Sequence, residues 1–171
     1  MFSEMSTFTL VHVGLSLIAI LAGLVVVFGL LTGKRLDGWT AFFLITTVAT
    51  SVTGFFFPFH GVTPAITVGI ISLAVLALAI FARYVRQLAA AWRWIYVVTA
   101  MVALYLNVFV LVVQLFQKVP ALKSLAPTQS EPPFLVAQII VLVLFVVLTV
   151  FALLRFRDDR ENRLNGNSIL G

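Results

Sequence analysis

Five apolar runs alternate with short polar breaks along the chain, at 8–31, 39–57, 62–81, 92–117 and 134–154. Each has at least about 19 mostly apolar residues, and about 20 carry a helix through a hydrocarbon core of roughly 30 Å. Backbone groups in hydrocarbon must be paired within their own segment, so each run predicts a transmembrane helix. The breaks carry turn and stop signals: Thr32, Gly33, Lys34 and Arg35 after the first run, Pro58 and Gly61 between the second and third, Arg83 and Arg86 after the third. Trp92, Trp94 and Tyr96 open the fourth run and suit an interfacial aromatic belt. The longest break, 118–133, holds Pro120, Pro127, Pro132 and Pro133. Within it Ser130 as N-cap and Glu131 at the positive end of the dipole predict the start of the last helix. In the polar tail at 158–171, Asp159 and Arg163 stand four apart, a spacing for a solvated helical extension.

Composition turns this pattern into a class. Of 171 residues 62% are hydrophobic and 10% charged, with a mean hydropathy of +1.16, whereas a soluble domain is about one quarter charged. The fold class is therefore an all-α integral membrane protein, with 1–157 forming one five-helix bundle. The charges then set its orientation. Lys34, Arg35, Arg83, Arg86, Arg93, Arg155, Arg157, Arg160 and Arg163 fall on one side of the five-span threading, against Lys118 and Lys123 on the other. By the positive-inside rule the nine are cytoplasmic, so the N-terminus lies outside and the C-terminus in the cytoplasm of a bacterial inner membrane. Residues 1–7 contain Glu4 and no Lys or Arg, unlike the basic start of a secretory signal, so the first run is read as a retained helix. The net charge of +5 is scattered between apolar runs instead of clustering with aromatics on a polar domain, so nucleic acid is not an expected partner. The absence of cysteine excludes disulfides, thiolate metal sites and cysteine catalysis.

Candidate chemistry rests on the polar groups inside the runs. In the fourth, Tyr96, Ala100, Ala103, Asn107, Val110, Gln114 and Gln117 alternate four and three apart and share one helix face. In the first, His12, Ser16, Ala19 and Gly23 do the same, and Ala19 with Gly23, like Gly29 with Gly33, has the small-xxx-small spacing of close helix pairs. His12, Gln114 and Gln138 fall at similar depth toward the outside. The candidate ligand-binding set is His12, Asn107, Gln114, Gln117 and Gln138. These groups hydrogen-bond helices together, at about 0.6 kcal/mol each, line an outward-facing polar pocket or proton path, or simply reach headgroup water at the interface. His12 and His60 could ligate a metal or haem b through neutral imidazole, but only Glu131 offers a third ligand on that side, so no metal or cofactor is expected. Phe55, Phe56, Phe57 and Phe59 around Pro58 suit either a quinone pocket or interfacial packing.

The segments TSVTGFFFPF at 50–59, AWRWIYV at 91–97 and LAPTQSEPPF at 125–134 resemble those of small multi-span bacterial inner-membrane proteins. The resemblance covers the whole length and implies a membrane location without a substrate. The tryptophan- and proline-rich motifs of the five-span translocator-protein family are absent. So are the metal-binding helices of membrane metalloproteases and the serine sites of rhomboid-type proteases, and an enzyme is not favoured. The expected function is a small-ligand-binding or accessory component, with the bilayer and a second copy or another membrane protein as partners. The alternatives are a small transporter or proton-conducting protein, and a haem- or quinone-binding redox protein.

Overall fold

The computed structural model describes residues 7–57 and 64–156. Among them there are helices and turns and no strand. In chain order the elements are α1 (Thr7–Leu31), α2 (Asp37–Gly54), α3 (Pro64–Ile80), a π-helical turn (Phe81–Val85), α4 (Trp92–Lys118), a short α5 (Pro120–Leu125) and α6 (Pro132–Arg155). Four helical segments are long and apolar enough to cross a membrane: Thr7–Leu31, Ile66–Val85, Trp92–Lys118 and Pro132–Arg155. The second apolar run forms α2, whose 18 residues begin at Asp37 and include Thr40, Thr46, Thr47, Thr50, Ser51 and Thr53. That polar content separates it from the other four.

α4 is the central element and packs against α1, α3, α6, α5 and the π turn. Its first half is enclosed, with Tyr96, Val97, Met101, Ala103 and Leu104 all buried. α6 is the reverse case. Phe134, Gln138, Phe145 and Ala152 form its buried stripe, while Leu135, Ile139, Ile140, Val143, Val147, Val150 and Leu154 are exposed around the remaining circumference. An apolar exposed surface of this kind is what a lipid-facing helix requires.

Small residues set the closest approaches, as their spacing predicts. A Cβ added at Gly23 would lie 2.5 Å from Leu104 Cδ1, so α1 and α4 meet there. Gly33 has another use: at φ +69° it is the left-handed residue that closes α1. Lys34 N–H donates to Gly29 O (2.8 Å) and Gly33 N–H to Leu30 O (3.3 Å), the two bonds of a Schellman cap.

Several boundaries differ from the sequence reading. The third membrane-length segment continues to Val85 because the π turn carries the helix one more turn. α6 is not capped by Ser130. Glu131 occupies the N-cap position, and its carboxylate turns back to accept from Thr128 N–H (3.1 Å), the Thr128 hydroxyl (2.8 Å) and Ser130 N–H (3.0 Å). The long break is partly helical through α5, with Pro120 at its first position. Tyr96 is no belt residue either, since it is fully buried. The turn with Pro58, Phe59, His60 and Gly61, and the tail with Asp159 and Arg163, lie outside the described residues.

Candidate functional site

The polar residues named from the sequence divide among different helix pairs. His12 Nδ1 is 2.9 Å from the Thr53 hydroxyl. The contact joins α1 to α2, and the same hydroxyl reaches Ala49 O at 2.7 Å. Asn107 Nδ2 donates to the Thr47 hydroxyl at 3.4 Å and joins α4 to α2. Gln138 Nε2 donates to Phe109 O at 3.3 Å and joins α6 to α4. Ser51 and Ser72, 3.1 Å apart, join α2 to α3. Most remaining hydroxyls bond their own helix, as Thr46, Thr99 and Thr149 do to carbonyls three or four residues back. Gln114 is exposed on α4. Gln117 lines a cavity of about 240 Å³ with Phe116, Lys123, Pro127, Thr128 and Gln129, where it donates to Gln129 Oε1 at 3.4 Å. His12, Asn107, Gln114 and Gln138 do not line that cavity.

Among the aromatic and histidine candidates, Phe55, Phe57 and His12 are used in packing, while Phe56 is exposed. Phe57 meets His12 edge-on at 5.1 Å and Phe8 at 5.0 Å, and Phe55 lies over Gly69. His60 lies outside the described residues, and among those described no group of three or more His, Cys, Asp or Glu stands together.

The more organised polar site is at the opposite end, and the sequence reading did not pick it out. The α1–α2 connection, the π turn and the start of α4 meet there around Arg83. Its side chain is 5% exposed and pairs with Asp37, the first residue of α2, whose own side chain is 79% exposed. The guanidinium also lies 5.0 Å from the centre of the Tyr96 ring, and Tyr96 hydroxyl faces Thr40 at 3.5 Å. A cation so enclosed is costly without a carboxylate and an aromatic face, and both are supplied here.

Arg83 reaches that position on the buried face of α3. Ser72, Leu76 and Ala79 are the buried residues of α3. Ala82 and Arg83 follow Ala79 by three and four residues and continue that face, and the i→i+5 turn closed by Arg86 N–H on Phe81 O at 3.0 Å comes directly after them. The exit is held in an unusual backbone. Gln87, Leu88 and Ala90 have φ of +49°, +58° and +47°, each costing roughly 1–2 kcal/mol for a residue with a Cβ. Leu88 is 2% exposed and its N–H donates to Ala82 O at 3.1 Å, so a buried anchor and a chain-reversing hydrogen bond offset part of that strain.

Beside Arg83 is a cavity of about 390 Å³ lined by Arg35, Asp37, Arg83, Tyr84, Val85, Arg86, Gln87 and Ala89. Arg86 is placed by the Trp92 ring, 5.1 Å away. A signal for this site was present in the sequence: Asp37 is the only carboxylate between Glu4 and Glu131, and it stands on the side that holds nine of eleven Lys and Arg. Fold and site together define the class as an all-helical protein with four membrane-length apolar helices and a basic cavity at one end. No protein-family model, curated protein or solved structure matches the chain.

Proposed function

We propose that the chain is a five-span protein of a bacterial inner membrane, with α2 as the fifth crossing and the basic end in the cytoplasm, and that it acts as a small-ligand-binding or accessory component. The observation that carries the binding role is the use made of the polar groups. Inside the bundle they join α1 to α2, α2 to α3, α2 to α4 and α4 to α6, whereas groups open to water gather in cavities at the two ends. Such a distribution favours binding at an end over conduction through the middle.

The fifth crossing is supported by geometry. α2 runs antiparallel to α1, with His12 at Thr53 at one end and Gly29 against Leu36 at the other. Its 18 residues span about 27 Å at roughly 1.5 Å each, close to the hydrocarbon thickness, and its threonines turn inward at Thr40, Thr46, Thr47 and Thr50. Reporter fusions after Arg86 and after Arg163 should report cytoplasm, and fusions within 123–131 should report the outside. A cytoplasmic signal from 123–131 would refute the threading.

A transporter or proton-conducting role is the second reading, favoured by two buried atoms, Thr50 Oγ1 and Gln138 Oε1, that have no hydrogen-bond partner. Proteoliposomes loaded with a pH-sensitive dye decide between the two. Proton flux above empty vesicles that Gln138→Leu abolishes would replace binding with conduction.

A further inference from the structure

We infer that the cavity at the basic end is a binding site for a phosphate-bearing anion, either the headgroup of an anionic phospholipid or a soluble phosphate compound. Three guanidinium groups, from Arg35, Arg83 and Arg86, line it against one carboxylate, Asp37, which leaves two positive charges in excess. A guanidinium presents a planar fork of donors that matches phosphate oxygens, and it stays charged at any accessible pH.

The three arginines have different tasks. Arg83 is held between Asp37 and the Tyr96 ring with its side chain 5% exposed, so an anion that reaches it meets a donor already fixed in place. Preorganisation of that kind removes much of the entropy cost of binding. Asp37 contacts it through one nitrogen, whereas a guanidinium carries five N–H donors. Arg35 and Arg86 are exposed on the rim, where they supply the field that attracts an anion.

A simple structural ion pair accounts for Arg83 and Asp37. It does not account for the two additional arginines beside an open volume of about 390 Å³, a size within the usual range of ligand sites, roughly 300–1,000 Å³. Nor does it call for three left-handed residues in the segment that closes the cavity, since strained backbone of this kind concentrates at functional sites. Tyr84 and Val85, both exposed at the rim, give an apolar margin for an acyl chain or another organic substituent. Basic pockets between the ends of membrane helices are suited to anionic lipid headgroups.

The site rests on the reading of the chain as a binding protein, but not on its orientation. Its test uses the full chain, purified in detergent and stripped of lipid. Inorganic phosphate is titrated by calorimetry, and phosphatidylglycerol retention is compared with phosphatidylcholine by native mass spectrometry. Binding of phosphate marks a soluble ligand, and selective retention of phosphatidylglycerol marks a lipid; either supports the site.

Arg35→Gln and Arg86→Gln change exposed residues and should each weaken the interaction at least about tenfold, the effect of one charge-assisted hydrogen bond. The inference is overturned if neither probe binds, or if both arginine variants bind like the parent. Since binding is read in detergent and orientation by fusions in cells, each reading can fail while the other stands.

Discussion

Gly23→Leu tests the packing of the bundle at its tightest point. A Cβ at Gly23 would lie 2.5 Å from Leu104 Cδ1 and 2.9 Å from Phe43 Cε2, whereas carbon atoms in contact prefer about 3.5–4.0 Å. Leu104 and Phe43 are each 1% exposed, so neither can swing into open space. Even the first methyl therefore requires shifts of about 1 Å in a filled interior. Gly23→Ala gains about 1 kcal/mol of helix propensity and loses about 1–3 kcal/mol to overpacking, a net loss between nothing and about 2 kcal/mol. Leucine adds three more carbons to the same space and should destabilise by about 3 kcal/mol, the upper part of that range. For a chain of this length such a loss lowers the midpoint of thermal unfolding by roughly 6–12 °C. The assay is thermal unfolding in detergent, with Leu24→Ala as control. Leu24 is 48% exposed, and its change should stay within about 0.5 kcal/mol. Leu104→Ala should then rescue Gly23→Leu, with a coupling of about 0.5–3 kcal/mol. Unfolding of Gly23→Leu at the parent's midpoint, or a Leu104→Ala change that adds to the damage, would refute the contact between α1 and α4.

Asn107→Leu should lower stability by only about 0.6 kcal/mol, because its 3.4 Å bond to Thr47 is one of several ties on α2 and apolar surroundings accept leucine; unfolding in detergent measures it. Desolvation, the largest single influence on the Glu131 carboxyl, raises it, but the hydrogen bonds from Thr128 and Ser130 together outweigh that and hold it below its usual value of 4.5. A group lowered on folding contributes stability above its unfolded value and loses it as pH falls through the folded one, so the 128–131 turn should persist at pH 4.5 and open in stronger acid. Carbon-13 NMR of labelled glutamate reads this directly, and Thr128→Val, which removes one donor, should move the titration back up.

The apolar runs made the helices legible because burial in hydrocarbon demands long uninterrupted segments, and those of α1, α4 and α6 are visible without any contact information. The stripe on α4 was legible as a face but not as a pocket. Its residues change character along the helix, from buried Tyr96, Ala100 and Ala103 through half-buried Asn107 to exposed Gln114 and Gln117. Periodicity assigns a direction around the axis, whereas the neighbour on that side is decided elsewhere in the chain. His12 illustrates the difference. Equal depth suggested Gln114 and Gln138 as its companions, but Thr53 of the antiparallel α2 stands beside it.

Arg83 escaped for a different physical reason. Counted for topology, it is one of nine positive charges at the end of a run, where an arginine ordinarily extends into headgroup water. Arg83 follows Leu76 and Ala79 by seven and four residues, on the buried face of α3, so its direction around the helix is legible, whereas the groups that enclose it, Asp37 and Tyr96, come from elsewhere in the chain. What the sequence did hold was an imbalance: a lone carboxylate, Asp37, on the side of the bundle crowded with Lys and Arg. A carboxylate in that setting has many cations within reach, and the one it holds is the one least able to use water. The choice follows from energetics. Exposed arginines gain little from an ion pair, on the order of 0–1 kcal/mol, while a buried one left alone would cost several kcal/mol. Asp37 is therefore committed to Arg83, and the charges of Arg35 and Arg86 remain directed at the cavity between them.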